Sequence, residues 1–255
     1  MRINSAKQKM LAGEPAFGFA LGLGSPSAAE IIGHSGIDFV MIDAQHGSFG
    51  SESTLACLQA MSAGAATPMA RVARNDYTQI GRLLDEGVLG IVVPMVHTVD
   101  DARAAADACR FPPTGTRSWG WGRAAHYGAD YPAMANDQIF LAVQIESAQA
   151  AENAEVILSL PGVDGCWIGP GDLSLSLGAH PDDSTTDERV LRAVEGVLAA
   201  CRDTGKICGY ACSSPAQGLG LAARGMQFLT IASDVGFLLN GTQAALRELR
   251  TGVDR

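Results

Sequence analysis

Five ionisable side chains stand just beyond short apolar runs: Asp43 and His46 after FVMI, Arg71 after PMA, Glu146 after FLAVQI, and Asp172 after WIGPG. A buried strand that delivers a polar group at its C-terminal end is how a parallel α/β barrel assembles an active site. Glu146 and Asp172 are two carboxylates with only oxygen-type neighbours. They suit a hard divalent cation such as Mg²⁺ or Mn²⁺, with positions left for water and substrate oxygens. His46 can move a proton near neutral pH, and Asp85 or Asp43 would be the carboxylate that orients it. An arginine ending a buried strand needs an anion, and at Arg71 a developing oxyanion would serve. Gln144 shares a face with Glu146 by period-two alternation. Gly169 and Gly171 are expected to leave backbone amides open at the entry to a short helix, where a small carboxylate binds. Singly, each residue has a plainer reading: Glu146 as an ion-pair partner, Asp172 as a helix cap, His46 as a solvated loop residue. Their joint placement indicates an enzyme.

Eight apolar segments must position these groups: 17–21, 39–42, 69–72, 89–93, 139–145, 163–168, 207–210 and 227–231. They read as nearly continuous hydrophobic runs, the pattern of parallel strands covered on both faces. Amphipathic segments separate them. Ser25-Pro26 offers an N-cap followed by proline at the first helical position, and Gly87 and Gly225 suit helix C-termini. Eight alternating units in 255 residues predict one (β/α)8 TIM barrel spanning residues 1–255. Two segments break the rhythm, the Gly-, Pro- and aromatic-rich stretch from Arg110 to Ala135 and the stretch GAHPDDSTTDERV. The first is expected to be a functional loop or a subunit contact, and both are expected on the catalytic face.

Composition removes several classes of function. With 47% hydrophobic and 18% charged residues, 30 Gly and 11 Pro, the chain has the apolar mass of a large core. A net charge of −9 and scattered basic residues make nucleic acid a poor partner. No run approaches the roughly 20 apolar residues of a membrane span, and the N-terminus lacks the apolar core of a signal peptide. A cytoplasmic location is expected. The six cysteines, Cys57, Cys109, Cys166, Cys201, Cys208 and Cys212, lack CxxC spacing and read as reduced core thiols. A Schiff-base mechanism needs a lysine at a strand exit. The chain has Lys7 and Lys9 near its N-terminus and Lys206 just before the seventh strand, so that chemistry is disfavoured.

The stretches IDAQHG, LLDEGVLGIVVPMV, FPPTGTRSWG, VQIES and GVDGCWIGPGDLSLSLG resemble the HpcH/HpaI class II 2-oxo acid aldolases, from about residue 5 to 250. The resemblance implies a (β/α)8 barrel that cleaves 4-hydroxy-2-oxo acids reversibly to pyruvate or hydroxypyruvate and an aldehyde. The reaction would run through a metal-stabilised enolate. It implies Glu146 and Asp172 as ligands of Mg²⁺, Mn²⁺ or Co²⁺, His46 as base paired with Asp85, and Arg71 on the keto or enolate oxygen. Gln144 falls in the matched strand, and Gly169, Pro170, Gly171 and Asp172 match the segment that holds the pyruvate carboxylate. Asp43 and Gln45 would support the site. The family pattern also implies a homo-oligomer, a hexamer built as a trimer of dimers with an exchanged C-terminal helix. One departure is Gln45, where many relatives carry glutamate, and it bears on the choice of aldehyde. A citrate lyase β-like or malyl-CoA lyase-like reaction, oxaloacetate decarboxylation, and a barrel that only binds are the competing readings.

Overall fold

In the computed structural model, which describes residues 1–253, eight strands close a parallel barrel in chain order. They are β1 (Ala16–Leu21), β2 (Phe39–Asp43), β3 (Thr67–Arg71), β4 (Gly90–Val93), β5 (Phe140–Ile145), β6 (Gly165–Ile168), β7 (Ile207–Ala211) and β8 (Phe228–Ser233). Each overlaps the segment expected from sequence, because an apolar run bounded by turn residues has few other ways to bury itself. The helices are α1 (Ser5–Leu11), α2 (Pro26–Gly33), α3 (Ser51–Ala60), α4 (Tyr77–Asp85), α5 (Val99–Cys109), α6 (Tyr131–Gln138), α7 (Ala148–Glu152), α8 (Ala154–Leu158), α9 (Pro170–Ser176), α10 (Glu188–Thr204), α11 (Pro215–Ala222) and α12 (Asp234–Val253). Ser25 caps α2 as expected, accepting from the Ala28 amide with Pro26 at the first helical position. None of the described helices is long and apolar enough to cross a membrane.

Period-two alternation divides the strands between two cores. Phe39, Met41, Met69, Val92, Phe140, Trp167 and Phe228 fill the barrel, while Val40, Ile42, Ile91, Leu141 and Ile168 face the helices. The lower interior is aromatic, with Phe228 4.8 Å from Phe39 and 5.0 Å from Phe140 between ring centroids. Gly18 makes room for it: a Cβ there would lie 2.1 Å from the Phe39 ring. Helix α1 closes the N-terminal mouth by packing Ala6 and Met10 onto this core. The buried Asn4 amide anchors that helix through bonds to the carbonyls of Leu89 (2.8 Å) and Gln138 (2.9 Å). With one mouth plugged, chemistry is confined to the other.

The segment from Arg110 to Ala135 corrects the expectation from sequence. It joins the end of α5 to the start of β5, and therefore belongs to the N-terminal face. The contacts agree: Met1 pairs with Asp130 at 2.7 Å, and Arg117 reaches Asp85 at 2.8 Å at the lower end of α4. Trp119 and Tyr131 pack edge-on against Phe111 on this side. Loop composition marks an irregular connection and says nothing of which end of the barrel it caps. The stretch from Gly178 to Val190 links α9 to α10 and does lie on the C-terminal side.

The last helix stands away from the barrel. Asp234 secures its first turn by accepting from the Gly22 amide at 2.7 Å and the Leu23 amide at 3.1 Å. From Phe237 to Thr251 every residue is exposed, including Leu238, Leu239, Leu246 and Leu249.

Candidate active site

Strand ends β2, β3, β5 and β6 bring most of the predicted set to the open mouth. Asp43, the last residue of β2, is the hub: it accepts from Arg71 Nε at 2.9 Å and Arg71 Nη2 at 2.5 Å. It also accepts from the backbone amides of Gln45 at 3.1 Å and His46 at 3.2 Å. Burial by itself would raise the Asp43 carboxyl, but the hydrogen bonds and charge of Arg71, with those two amides, outweigh it and hold the group below the usual carboxylate range. The anion that Arg71 required is therefore a protein side chain. The fork is held on one edge, its Cζ lies over the Trp167 ring 5.3 Å from the centroid, and Nη1 has no acceptor among the described residues. A clamped, half-satisfied guanidinium is suited to a substrate oxygen.

Glu146 is 2% exposed and leaves β5 directly above Gln144. Its Oε1 accepts from the Met95 amide at 2.7 Å, and its Oε2 accepts from Gln144 Nε2. Met95 adopts a left-handed φ of 56°, uncommon for a side chain of this size, and so presents its amide to the carboxylate. Sequence reasoning missed Met95 because a backbone donor leaves no mark in residue type. It also missed Trp167, whose place inside the barrel follows from its alternation with Cys166 and Ile168.

Burial pushes the Glu146 carboxyl up to about 7, and the nearby negative charge of Asp172 adds to the rise against the bonds from Met95 and Gln144 and the charge of Arg71. A buried carboxylate facing a second carboxylate needs positive charge, and the donor set is all oxygen. These residues fit a divalent cation of the Mg²⁺ or Mn²⁺ kind. The buried Gln144 Oε1 and Trp167 Nε1, both without hydrogen-bond partners, are further polar atoms at this end of the barrel. Gly169 explains the closeness of the strands here. A Cβ at that position would lie 2.7 Å from Gln144 Nε2 and 2.8 Å from Glu146 Oε2.

The raised Glu146 value has opposite consequences for stability and for cation binding. Between about 4.5 and 7 the folded, cation-free protein retains a proton that the unfolded chain has lost, so this group's stabilisation declines as pH rises through 7. A cation must displace that proton, so its affinity should rise roughly tenfold per pH unit below 7 and level off above it. Calorimetric titration of the protein with Mn²⁺ from pH 5.5 to 8 measures this, and a flat affinity would contradict it.

The remaining predicted residues are placed unevenly. Asp172 is exposed in the first turn of α9, and the amides of Gly171 and Asp172 have no acceptor among the described residues. The Gly169 amide, expected to be free, instead donates to the Ile145 carbonyl at 3.2 Å, because it continues the β5–β6 pairing. Pro170 occupies the first helical position. His46 is exposed, and its ring makes no hydrogen bond among the described residues. Asp85 does not meet His46 within one protomer. It ends α4 at the opposite, N-terminal face and pairs with Arg117. A helix that returns from the top of β3 to the bottom of β4 necessarily leaves its last residue there. A cavity of about 490 Å³ opens beside Asp43, Arg71 and Trp167 and extends to Ser213, Ser233 and Phe237.

The family model described as HpcH/HpaI aldolase/citrate lyase matches residues 17–241, which include every residue of this constellation. The chain belongs to the HpcH/HpaI aldolase/citrate lyase family. It is 37% identical over 235 residues to a 2-keto-3-deoxy-L-rhamnonate aldolase of Klebsiella pneumoniae, covering 91% of this chain and 87% of the relative. It is 35% identical over 250 residues to a 4-hydroxy-2-oxo-heptane-1,7-dioate aldolase of Escherichia coli, covering 94% and 93%. Among solved structures, an HpcH/HpaI aldolase/citrate lyase family protein from Burkholderia cenocepacia superposes with a TM-score of 0.90 at 36% identity, covering 97% of this chain and 99% of that one. The protein is thus an HpcH/HpaI carbon-carbon lyase of the class II aldolase kind. A divalent metal is general to that family's chemistry, in agreement with the oxygen donor set of Glu146 and Asp172. Schiff-base chemistry finds no lysine at the mouth: Lys7 bonds the Ile139 carbonyl, Lys9 pairs with Asp38 and Lys206 bonds the Val163 carbonyl, all at the N-terminal end.

Proposed function

We propose that this aldolase cleaves 4-hydroxy-2-oxo acids to pyruvate, or hydroxypyruvate, and an aldehyde, with Glu146 and Asp172 holding Mg²⁺, Mn²⁺ or Co²⁺. The observation that supports this best is the buried Glu146 carboxylate facing Asp172 beside a clamped Arg71 whose Nη1 is free. When bound, the cation supplies Lewis-acid stabilisation of negative charge on the oxo-acid oxygens. Arg71 Nη1 donates to the C2 oxygen as charge develops there, in an orientation set by Asp43 and Trp167. The amides of Gly171 and Asp172 receive the substrate carboxylate. His46, directly or through a water, takes the proton of the C4 hydroxyl as the C3–C4 bond breaks and the aldehyde leaves. It then returns a proton to C3 of the remaining three-carbon acid.

A screen of 4-hydroxy-2-oxo acids, read as pyruvate release with and without EDTA, tests the assignment. EDTA is expected to abolish release, and borohydride with pyruvate is expected to leave the enzyme active; a lysine adduct would refute it. Replacing His46 with Asn should lower kcat by about 10²–10⁴-fold with little change in cation affinity, measured by steady-state kinetics and Mn²⁺ titration. An unchanged kcat would remove His46 from the reaction.

The exposed leucines of α12 need a covering surface, and exchange of this helix between copies in a hexamer would supply one. Any pairing of His46 with Asp85 would likewise be made between copies, since one protomer holds them at opposite ends. Gln45, whose Oε1 is buried without a partner beside His46, is proposed to influence the choice of aldehyde.

A further inference from the structure

Three cysteines far apart in sequence converge between the barrel wall and one helix. Cys166 in β6 and Cys208 in β7 are register partners on adjacent strands, and both side chains belong to the outer core that faces the helices. Cys201 reaches them from α10. All three are buried, at 0%, 1% and 1% exposure, and none is in a disulfide. The Sγ atoms of Cys166 and Cys201 are 3.4 Å apart, and all three sulfurs lie within 4.8 Å of one another. A metal–sulfur bond of about 2.3 Å places the sulfurs of a trigonal or tetrahedral site about 3.8–4.0 Å apart. The three sulfurs already bracket that spacing, so the group could close on an ion through side-chain adjustments of a few tenths of an ångström.

The surroundings favour an anionic sulfur cluster. Cys201 and Cys208 line a cavity of about 260 Å³, together with Arg202 and Lys206. Arg202 donates to the Arg224 carbonyl at 2.7 Å and Lys206 to the Val163 carbonyl at 2.6 Å, and neither has a carboxylate partner among the described residues. These two cations, Arg202 exposed and Lys206 half-buried, can offset part of the charge of thiolates close by. The cavity also gives an ion a route to Cys201 and Cys208, which line it. Met10, buried and lining the same cavity, adds a further soft atom.

We propose that Cys166, Cys201 and Cys208 form a structural site for one thiophilic d¹⁰ ion of the Zn²⁺, Cd²⁺ or Cu⁺ class. It is separate from the oxygen-ligand site at the barrel mouth. Soft thiolates select such ions, whereas the carboxylates select hard ones, so the two sites would not compete for the same metal. Each sulfur that binds does so as thiolate and releases its proton to solvent. The bound ion would tie β6, β7 and α10 together, in the same strand that carries Trp167 toward Arg71. Its role is to hold that wall in place, not to take part in carbon-carbon cleavage.

The test uses the reduced, full-length protein under anaerobic conditions, with excess Mg²⁺ present and Cd²⁺ as the probe. The expected result is a sulfur-to-cadmium charge-transfer band in the near ultraviolet that saturates at one equivalent, with one cadmium per chain by native mass spectrometry. The melting temperature should rise by about 5–10 °C at a hundredfold excess over Kd. The singles Cys166→Ala, Cys201→Ala and Cys208→Ala should each weaken binding at least tenfold, whereas Cys212→Ala should not. These exchanges remove little volume, and retained Mg²⁺-dependent pyruvate release shows that each variant is folded. Absence of the band in the wild type, undiminished cadmium affinity in Cys208→Ala, or loss of binding in Cys212→Ala would overturn the proposal. So would a Cys166–Cys201 disulfide forming in air in a protein that takes up no cadmium when reduced.

Discussion

Replacing Glu146 with glutamine should reduce cation-dependent pyruvate release by about 10³-fold or more while making the cation-free protein more stable at pH 8. The two effects have one origin. Glutamine has nearly the same shape and can keep the contact with the Met95 amide, but it removes a negative charge that burial and Asp172 already oppose. The folded state loses an unfavourable charge and the cation loses a ligand. Asp172→Asn should separate them, because Asp172 is exposed: activity and Mn²⁺ affinity fall, and the melting temperature hardly moves. Thermal melts at pH 8 without metal, with Mn²⁺ titrations of both variants, provide the comparison. If Glu146→Gln kept its activity, the cation would have to sit elsewhere; if EDTA left the wild type unaffected, no exchangeable cation would take part in the reaction.

The second large effect is expected at Arg71. Arg71→Lys retains the charge but loses the fork that Asp43 grips through Nε and Nη2, together with the planar face over Trp167. The fall should appear mainly in kcat, by about 10²–10³-fold, because the free Nη1 acts on an oxygen whose charge grows only during bond cleavage. Asp43→Asn should lower kcat less, since it leaves the guanidinium in place and loosens only its orientation. It should also loosen the turn that carries His46, whose amide bonds the same carboxylate. Steady-state kinetics on a single 4-hydroxy-2-oxo acid separates kcat from KM. A rise in KM alone for Arg71→Lys would mean that Arg71 binds substrate without assisting the reaction.

Asp43 and Met95 show how the site divides between what composition reveals and what it hides. Asp43 was visible as a carboxylate at a strand end, yet sequence presented it as one of two partners for His46. In the folded chain its oxygens serve Arg71 and two backbone amides. Met95 was invisible, since what matters is a peptide N–H turned by a positive φ. Asp85 lies in a matched motif, and sequence offers it as a partner for His46. The motif carries no information about which end of the barrel its last residue occupies. The cysteines follow the same rule. Cys166, Cys201 and Cys208 read singly as small hydrophobes, and only the β6–β7 register and the seating of α10 bring their sulfurs together.

The chain alone determined the number and order of the strands, because an apolar run with turn residues on both sides has one inexpensive way to leave water and alternation then assigns each side chain to a face. It also determined which acids, base and arginine end those strands, and through them the chemistry open to the protein. The tertiary structure decided which of these groups touch: Arg71 on Asp43, Glu146 beneath the Met95 amide, Asp85 at the far mouth with Arg117. Contacts of that kind join residues tens of positions apart through the closure and stagger of the barrel. They depend on distances of a few tenths of an ångström, which local sequence preferences do not encode.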